Sequence, residues 1–483
     1  MLLWLLACAE PEVQETALPT LDAPRLLRRA SLDLRGVLPS SQELDAVEAD
    51  PDSLEATILG WSEEPAFEER LVLMLGEQWH TRVEAFPIEA FDYGLDDEVP
   101  FERAVGEEPL RLAAYVVTQD LPWSQVVTAE HTMANALLLS IWDLEAEQEP
   151  GDGQWVPAIY QDGRPHAGVL STNGLWWKYD TDISNMNRRR VSAISRLLVC
   201  HDVLARPISL ADASQDVEDA VRNDPACKTC HAALDPAAAA LFGFWNVVEY
   251  SEVEHASYHP EREGLYRDYL GVEPAWYGVP VSGPEDLGRA IAADPRFDRC
   301  AVQRFGELML HRELSEQEQA RFEADYDGYA LHLIQTLLSS PEYADPTPRL
   351  MSPQLMSSAI AQATGYRWTT DGNDVMDIDE YGLRQLAGGV DGEQVKDPQA
   401  RPGLTRTLVI KRLAELAGQE IGAYEGSLMI EAWYWRLLAE HPTQTQLDEL
   451  EALHAAVLAR DGQDAADAAV LTVILRDPAF EAY

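Results

Sequence analysis

The sequence predicts a mainly α-helical protein: multi-helix domains built from repeated small helical modules, with a little irregular β near residues 246–282. Three observations carry this. Apolar residues recur at helical spacing in runs too long for strands. Hydroxyl residues stand where helix N-caps are needed. One module occurs three times, beginning at SLDLRGVLPSSQELDAV, FGELMLHRELSEQEQARF and WYWRLLAEHPTQTQLDEL.

Each module opens with an apolar helix. Ser40, Ser315 or Thr443 then caps a second helix, and Glu43 and Glu318 stand three residues on, as a capping box requires. A third helix ends at Pro65-Ala66-Phe67, Pro341-Glu342-Tyr343 or Pro478-Ala479-Phe480, whose aromatic is expected to fold back as a plug. Between the first two modules, residues 105–145 read as two helices around the loop Asp120-Leu121-Pro122-Trp123. Gly151-Asp152-Gly153 and Asp162-Gly163-Arg164-Pro165 mark turns, and a helix is predicted from about Arg189 to Val203. Residues 246–282 alternate short apolar pairs with Gly and Pro and predict a small hairpin or irregular layer. Residues 346–375 read as a linker and helix, and Asp391–Pro402 as a polar loop. The expected organisation is a signal and tether (1–20), an N-terminal helical domain (21–150), a C-x-x-C-H domain (151–345) and a C-terminal helical domain (346–483).

The 483 residues carry 83 acidic against 36 basic side chains, a net charge of −47. Such a surface repels phosphate backbones and anionic headgroups, which excludes nucleic acid as a partner. The acid is spread along the chain and reads as a solvated surface. No G-x-S-x-G, P-loop, H-E-x-x-H or Rossmann fingerprint is present.

The most specific motif is Cys227-Lys228-Thr229-Cys230-His231. Two thiols three positions apart lie on one turn and can form thioethers to the two vinyl groups of a porphyrin. The adjacent imidazole then ligates the iron from the proximal side. At this composition the pattern arises by chance about once in a thousand chains. The same residue types suit a zinc clamp, a redox dithiol or a plain disulfide. A closed zinc site needs four ligands, and Cys200 and Cys300 have no C-x-x-C partner of their own. A thioredoxin-like dithiol wants a β-α-β setting, whereas the surroundings read as helix or loop.

The five cysteines share one explanation. Leu5-Leu6-Ala7-Cys8 resembles the lipobox of bacterial lipoproteins, with Cys8 the lipidated residue, although no Lys or Arg precedes the apolar stretch. The alternatives are a start further upstream or a frayed apolar N-terminus. With Cys227 and Cys230 assigned to haem, Cys200 and Cys300 remain as one disulfide, or as two buried free thiols. Disulfides and c-type haem attachment both belong outside the cytoplasm. The expected location is therefore the periplasm, outer membrane or cell surface of a bacterium. Membrane contact is expected only through the N-terminal lipid anchor, since no other stretch has the apolar length of a span.

Four segments, in order, carry a family likeness: LLRRASLDLRGVLPSSQEL, RRRVSAISRLLVCHDVLARPI, DPACKTCHAALDP and FDRCAVQRFGELMLHREL. Together they resemble the planctomycete-type cytochrome c families, multi-domain envelope proteins of largely unknown function. The likeness covers roughly residues 22–345, with a weaker echo beyond. It implies a haem-binding, electron-transfer-like role and supplies no substrate. The family's Gly after Asp235-Pro236 is replaced by Ala237, and its following aromatic run by Leu241-Phe242-Gly243-Phe244.

The expected cofactor is one covalent haem c, held by Cys227, Cys230 and His231, with His231 the proximal iron ligand. Met186 is a candidate for the distal position, and His201, His255 and His259 are others. His255 and His259 with Glu252 and Glu254 make a second possible metal group, weakened as a helix by Pro260. Arg188-Arg189-Arg190 can pair haem propionates or surface carboxylates. The expected function is electron transfer or haem redox chemistry in the cell envelope, with a redox partner or another envelope protein as partner. The alternative is a helical scaffold or binding protein in which C-x-x-C-H is a disulfide or zinc clamp. A haem enzyme with an open distal side is a third reading.

Overall fold

A computed structural model describes residues 20–203, 205, 225–247, 251–378, 381–420 and 430–483. Cys8 and the N-terminal lipobox lie outside the described residues. The protein is mainly α-helical, with three small antiparallel β elements among the described residues. No helix among the described residues is long and apolar enough to cross a membrane.

The three modules fold alike, and local chemistry explains why. In each, the first helix (Ala23–Arg35, Pro295–Leu310 or Ile430–Leu438) stops at a residue in the left-handed region: Gly36, His311 or Ala439. Four residues later the predicted hydroxyl caps the second helix. Ser40 and Ser315 form full capping boxes with Glu43 and Glu318, and Thr443 forms the same box with Gln446. The plug aromatics Phe67, Tyr343 and Phe480 are all fully buried. Burying one such ring contributes roughly 1.5–3 kcal/mol.

The Ala23–Arg35 helix holds the modules together. Leu27, Ala30 and Leu34 enter the main core, while Leu32 enters a second core formed by residues 351–483. A helix apolar on more than one side is a buried helix. Three of its buried polar residues, Arg28, Arg29 and Asp33, reach other parts of the chain. Arg28 donates to the carbonyls of Leu437 (2.8 Å) and Phe480 (3.1 Å). Arg29 donates to those of Tyr343 (2.9 Å), Thr347 (3.0 Å) and Tyr483 (3.3 Å). Asp33, fully buried, accepts from His311 (3.2 Å), Tyr343 (2.9 Å), Arg349 (3.0 Å) and the hydroxyl of Tyr483 (2.6 Å). Burial alone would raise its pKa, but His311, Arg349 and the Tyr483 hydroxyl outweigh that and hold it far below the carboxylate range.

The region between the modules departs from expectation. Residues 98–118 form one long helix, but its predicted partner is only the single turn Gln125–Thr128. The chain then enters a three-stranded sheet of β1 (Thr132–Ala134), β2 (Leu144–Ala146) and β3 (Val156–Tyr160), in spatial order β1-β3-β2. Three- to five-residue strands give too few positions for an alternation to show. The expected boundary at residue 150 falls inside this sheet. Behind it, Glu108 is fully buried and accepts from Thr132 (2.8 Å), Tyr160 (2.7 Å) and the Gly174 amide (2.8 Å). Burial pushes its pKa up. Only glycine fits at 174, because a Cβ would overlap the Val105 carbonyl oxygen. That oxygen has no i+4 amide to bond, since position 109 is proline.

The predicted hairpin is present as β4 (Ala275–Trp276) and β5 (Val279–Pro280), turning through Tyr277-Gly278, both with positive φ. Further on come the Pro353–Thr364 helix and a two-stranded turn of β6 (Thr369–Thr370) and β7 (Asn373–Asp374).

Candidate functional site

The C-x-x-C-H motif lies in the first half of the helix Pro225–Ala239. Proline at the first position costs a helix nothing, because that amide has no intrahelical acceptor. The helix runs from half-exposed to buried. Cys227, Cys230 and His231 are partly accessible, while Leu234, Ala237 and Ala238 are in the main core. It packs on the helix Arg188–Leu198 and on β4. Beyond it, Gly243 lies so close to the Tyr258 ring that no Cβ would fit.

Cys227 and Cys230 are both free thiols. They are three residues apart, hence on one helical turn. Cys230 packs against the core and its Sγ lies 3.7 Å from the Val203 carbonyl oxygen. The Nδ1 atom of His231 is 3.0 Å from Oδ1 of Asp235. With Nδ1–H donating to the carboxylate, Nε2 carries the lone pair, the tautomer an iron ligand requires. Arg188 closes the arrangement, its Nε 2.6 Å from the same carboxylate oxygen. Burial would raise the Asp235 pKa, but His231 and Arg188 outweigh it and keep the carboxylate ionised.

The Arg188–Arg190 cluster divides between two tasks. Arg188 supports Asp235. Arg190 is buried and donates to the backbone carbonyl of Phe244 and to Asn187 (3.0 Å), tying the helix it starts to the segment after the motif. That helix spans Arg188–Leu198, shorter than expected, and Cys200 follows in the left-handed region.

Cys200 and Cys300 are disulfide-bonded, with their Cα atoms 5.2 Å apart. The bond joins the end of the Arg188–Leu198 helix to the Pro295–Leu310 helix, and so anchors the surface on which the motif helix rests. It also removes both cysteines from any zinc site. Among the described residues no group of three or more His, Cys, Asp or Glu side chains is placed to hold a metal ion.

The other candidates have contacts of their own. Met186 packs with Ala239, Phe242 and Trp245, two helical turns beyond His231. His201 stacks edge-on against Tyr277. His255 is bonded to the Ser251 carbonyl (3.1 Å) and His259 to that of Glu254 (3.1 Å). Glu254 is itself engaged by Arg262, and the helix Glu252–Ala256 ends before His259, so the two imidazoles do not share a helical face. The side chain of Glu252 is outside the described residues.

Sequence reasoning singled out Asp235 and Arg188 but did not join them to His231. The i,i+4 spacing of His231 and Asp235 was the available signal. No family model, no curated protein and no solved structure matches the chain.

Proposed function

We propose that this is an exported c-type haem-binding protein of the bacterial cell envelope, acting in electron transfer or haem redox chemistry. The supporting observation is the arrangement on one helix: two free thiols one turn apart, followed by an imidazole whose Nδ1 is committed to Asp235. These residues fit the group. Cys227 and Cys230 would carry the two thioethers, and His231 Nε2 would be the proximal ligand. Bound haem would supply a one-electron iron couple whose potential depends on the axial ligand and its hydrogen bonds. Asp235 orients the imidazole and raises its basicity, and Arg188 keeps Asp235 anionic.

The Cys200–Cys300 disulfide supports export, because such bonds persist in oxidising compartments. The likeness of four segments to the planctomycete-type cytochrome c families points the same way. Met186 remains a low-ranking distal candidate, since its packing is with the Phe242–Trp245 cluster. The test is a visible absorption spectrum of protein exported alongside the haem-attachment machinery. A sharp Soret and α band after removal of free haem is expected. Carbon monoxide binding to the reduced form then separates an open enzyme site from a six-coordinate carrier. A correctly exported, folded protein with no haem spectrum would contradict the proposal.

A further inference from the structure

A second site lies away from the C-x-x-C-H helix and does not depend on the haem reading. A cleft of about 560 Å³ opens between the helix Pro65–Trp79, the end of the helix Pro295–Leu310, the strap 345–352 and the loop near Lys396. Six cations line it (Arg70, Arg196, Arg304, Arg312, Arg349 and Lys396) against six carboxylates, in a chain with 36 Lys and Arg against 83 Asp and Glu. Ion pairs take up Arg304 with Glu307, Arg312 with Glu318, Arg349 with Asp33 and Glu342 with Arg321. The lining is therefore close to charge balance on an otherwise strongly anionic molecule.

Arg70 distinguishes it. This side chain is only 4% exposed, yet it makes no hydrogen bond or ion pair with any described residue, and its Nε is sealed from solvent without an acceptor. A buried guanidinium with no acceptor is costly and rare. Arg28, Arg190 and Arg349 are engaged by carbonyls or carboxylates, and Arg29, Arg384 and Arg406, which also leave a buried Nε without an acceptor, still donate through Nη1. A second orphan lies on the same helix, the Oε1 of Gln78, which lacks a donor and is closed to solvent like the Nε of Arg70. The cleft is therefore lined by a guanidinium with no hydrogen-bond partner among the described residues.

We propose that this cleft binds a small oxyanion-bearing compound, a phosphate or a carboxylate, with Arg70 as the bidentate clamp. Arginine's planar fork suits both oxyanions.

The test is calorimetric titration of the full-length protein with inorganic phosphate and, separately, with succinate, using sodium chloride at matched ionic strength as the control. Saturable binding of one of the two is expected, and it identifies the oxyanion class. Arg70→Met should weaken it at least tenfold. No heat from either compound beyond the chloride control overturns the proposal, as does unchanged affinity in Arg70→Met. Should that variant fail to fold, wild-type crystals soaked with selenate or bromosuccinate give an independent readout. An anomalous peak within hydrogen-bonding distance of the Arg70 guanidinium supports the site. Peaks elsewhere alone, an adventitious ion only, overturn it.

Discussion

His231 and Asp235 are joined through Nδ1 and Oδ1 at 3.0 Å, one turn apart on a single helix. The bond fixes the imidazole tautomer and gives Asp235 a role that a surface carboxylate would not have. Replacing Asp235 with Asn keeps the shape and removes the charge. In haem-loaded protein the imidazole becomes less basic, and the reduction potential should rise. Redox titration checks this. Stability should change by only about 0–1 kcal/mol, because the Arg188–Asp235 pair is partly solvated.

The Cys200–Cys300 bond closes a loop with a sequence separation of 100 that contains the whole motif helix. In the chain-entropy model such a loop contributes about 4–5 kcal/mol, less any strain. The double substitution Cys200→Ala, Cys300→Ala should lower the urea midpoint accordingly. Reduction of the wild type should reproduce the loss, while the double variant should not respond to reductant. Equal midpoints for oxidised and reduced wild type would show that the bond contributes no stability.

Asp33 should be the most sensitive position for folding. Asp33→Asn leaves Arg349 and His311 facing a neutral group in the interior, and removing one partner of a buried pair costs about 3–5 kcal/mol. Because the folded-state pKa of Asp33 is depressed, its contribution is present above the ordinary carboxylate range and is lost as pH falls toward the depressed value. Acid unfolding curves of wild type and variant should therefore converge at low pH. A variant as stable as wild type at pH 7 would contradict this placement of Asp33.

Glu102 carries the opposite sign. Burial first, then Glu98, Glu84 and Glu89, push its carboxyl up to about 8. The folded state thus binds more protons than the unfolded chain between the ordinary glutamate value and about 8, so this group's contribution falls as pH rises through that window. Glu102→Gln should stabilise the protein at pH 8.5. Discounted for the water that still reaches the carboxyl, the gain is on the order of 1–2 kcal/mol, and it should vanish near pH 4.5. Thermal melts of both proteins across pH measure it.

What the chain revealed beforehand follows the range of each interaction. The caps at Ser40, Ser315 and Thr443 were legible because a cap hydroxyl reaches an amide only three residues away. The plugs Phe67, Tyr343 and Phe480 were legible because the module repeats. The bond from Tyr483 to Asp33 spans 450 residues and left no local signature. The same is true of the orphaned Arg70, since the absence of a partner is a property of the packed molecule. The sheet of β1 to β3 was hidden by its short strands, and the buried Glu108 reads in sequence as one more acid in an acidic chain. At the motif, Cys227, Cys230 and His231 were visible by spacing. Their support by Arg188 required two helices to meet.

The most direct measurement is the intact mass of the protein exported with the haem-attachment machinery, recorded after denaturation. Wild type should carry the added mass of one haem, Cys227→Ala and Cys230→Ala should each retain it less completely, and the double variant should carry none. Wild-type protein with the Cys200–Cys300 disulfide formed, both motif cysteines unmodified and no added mass would contradict haem attachment.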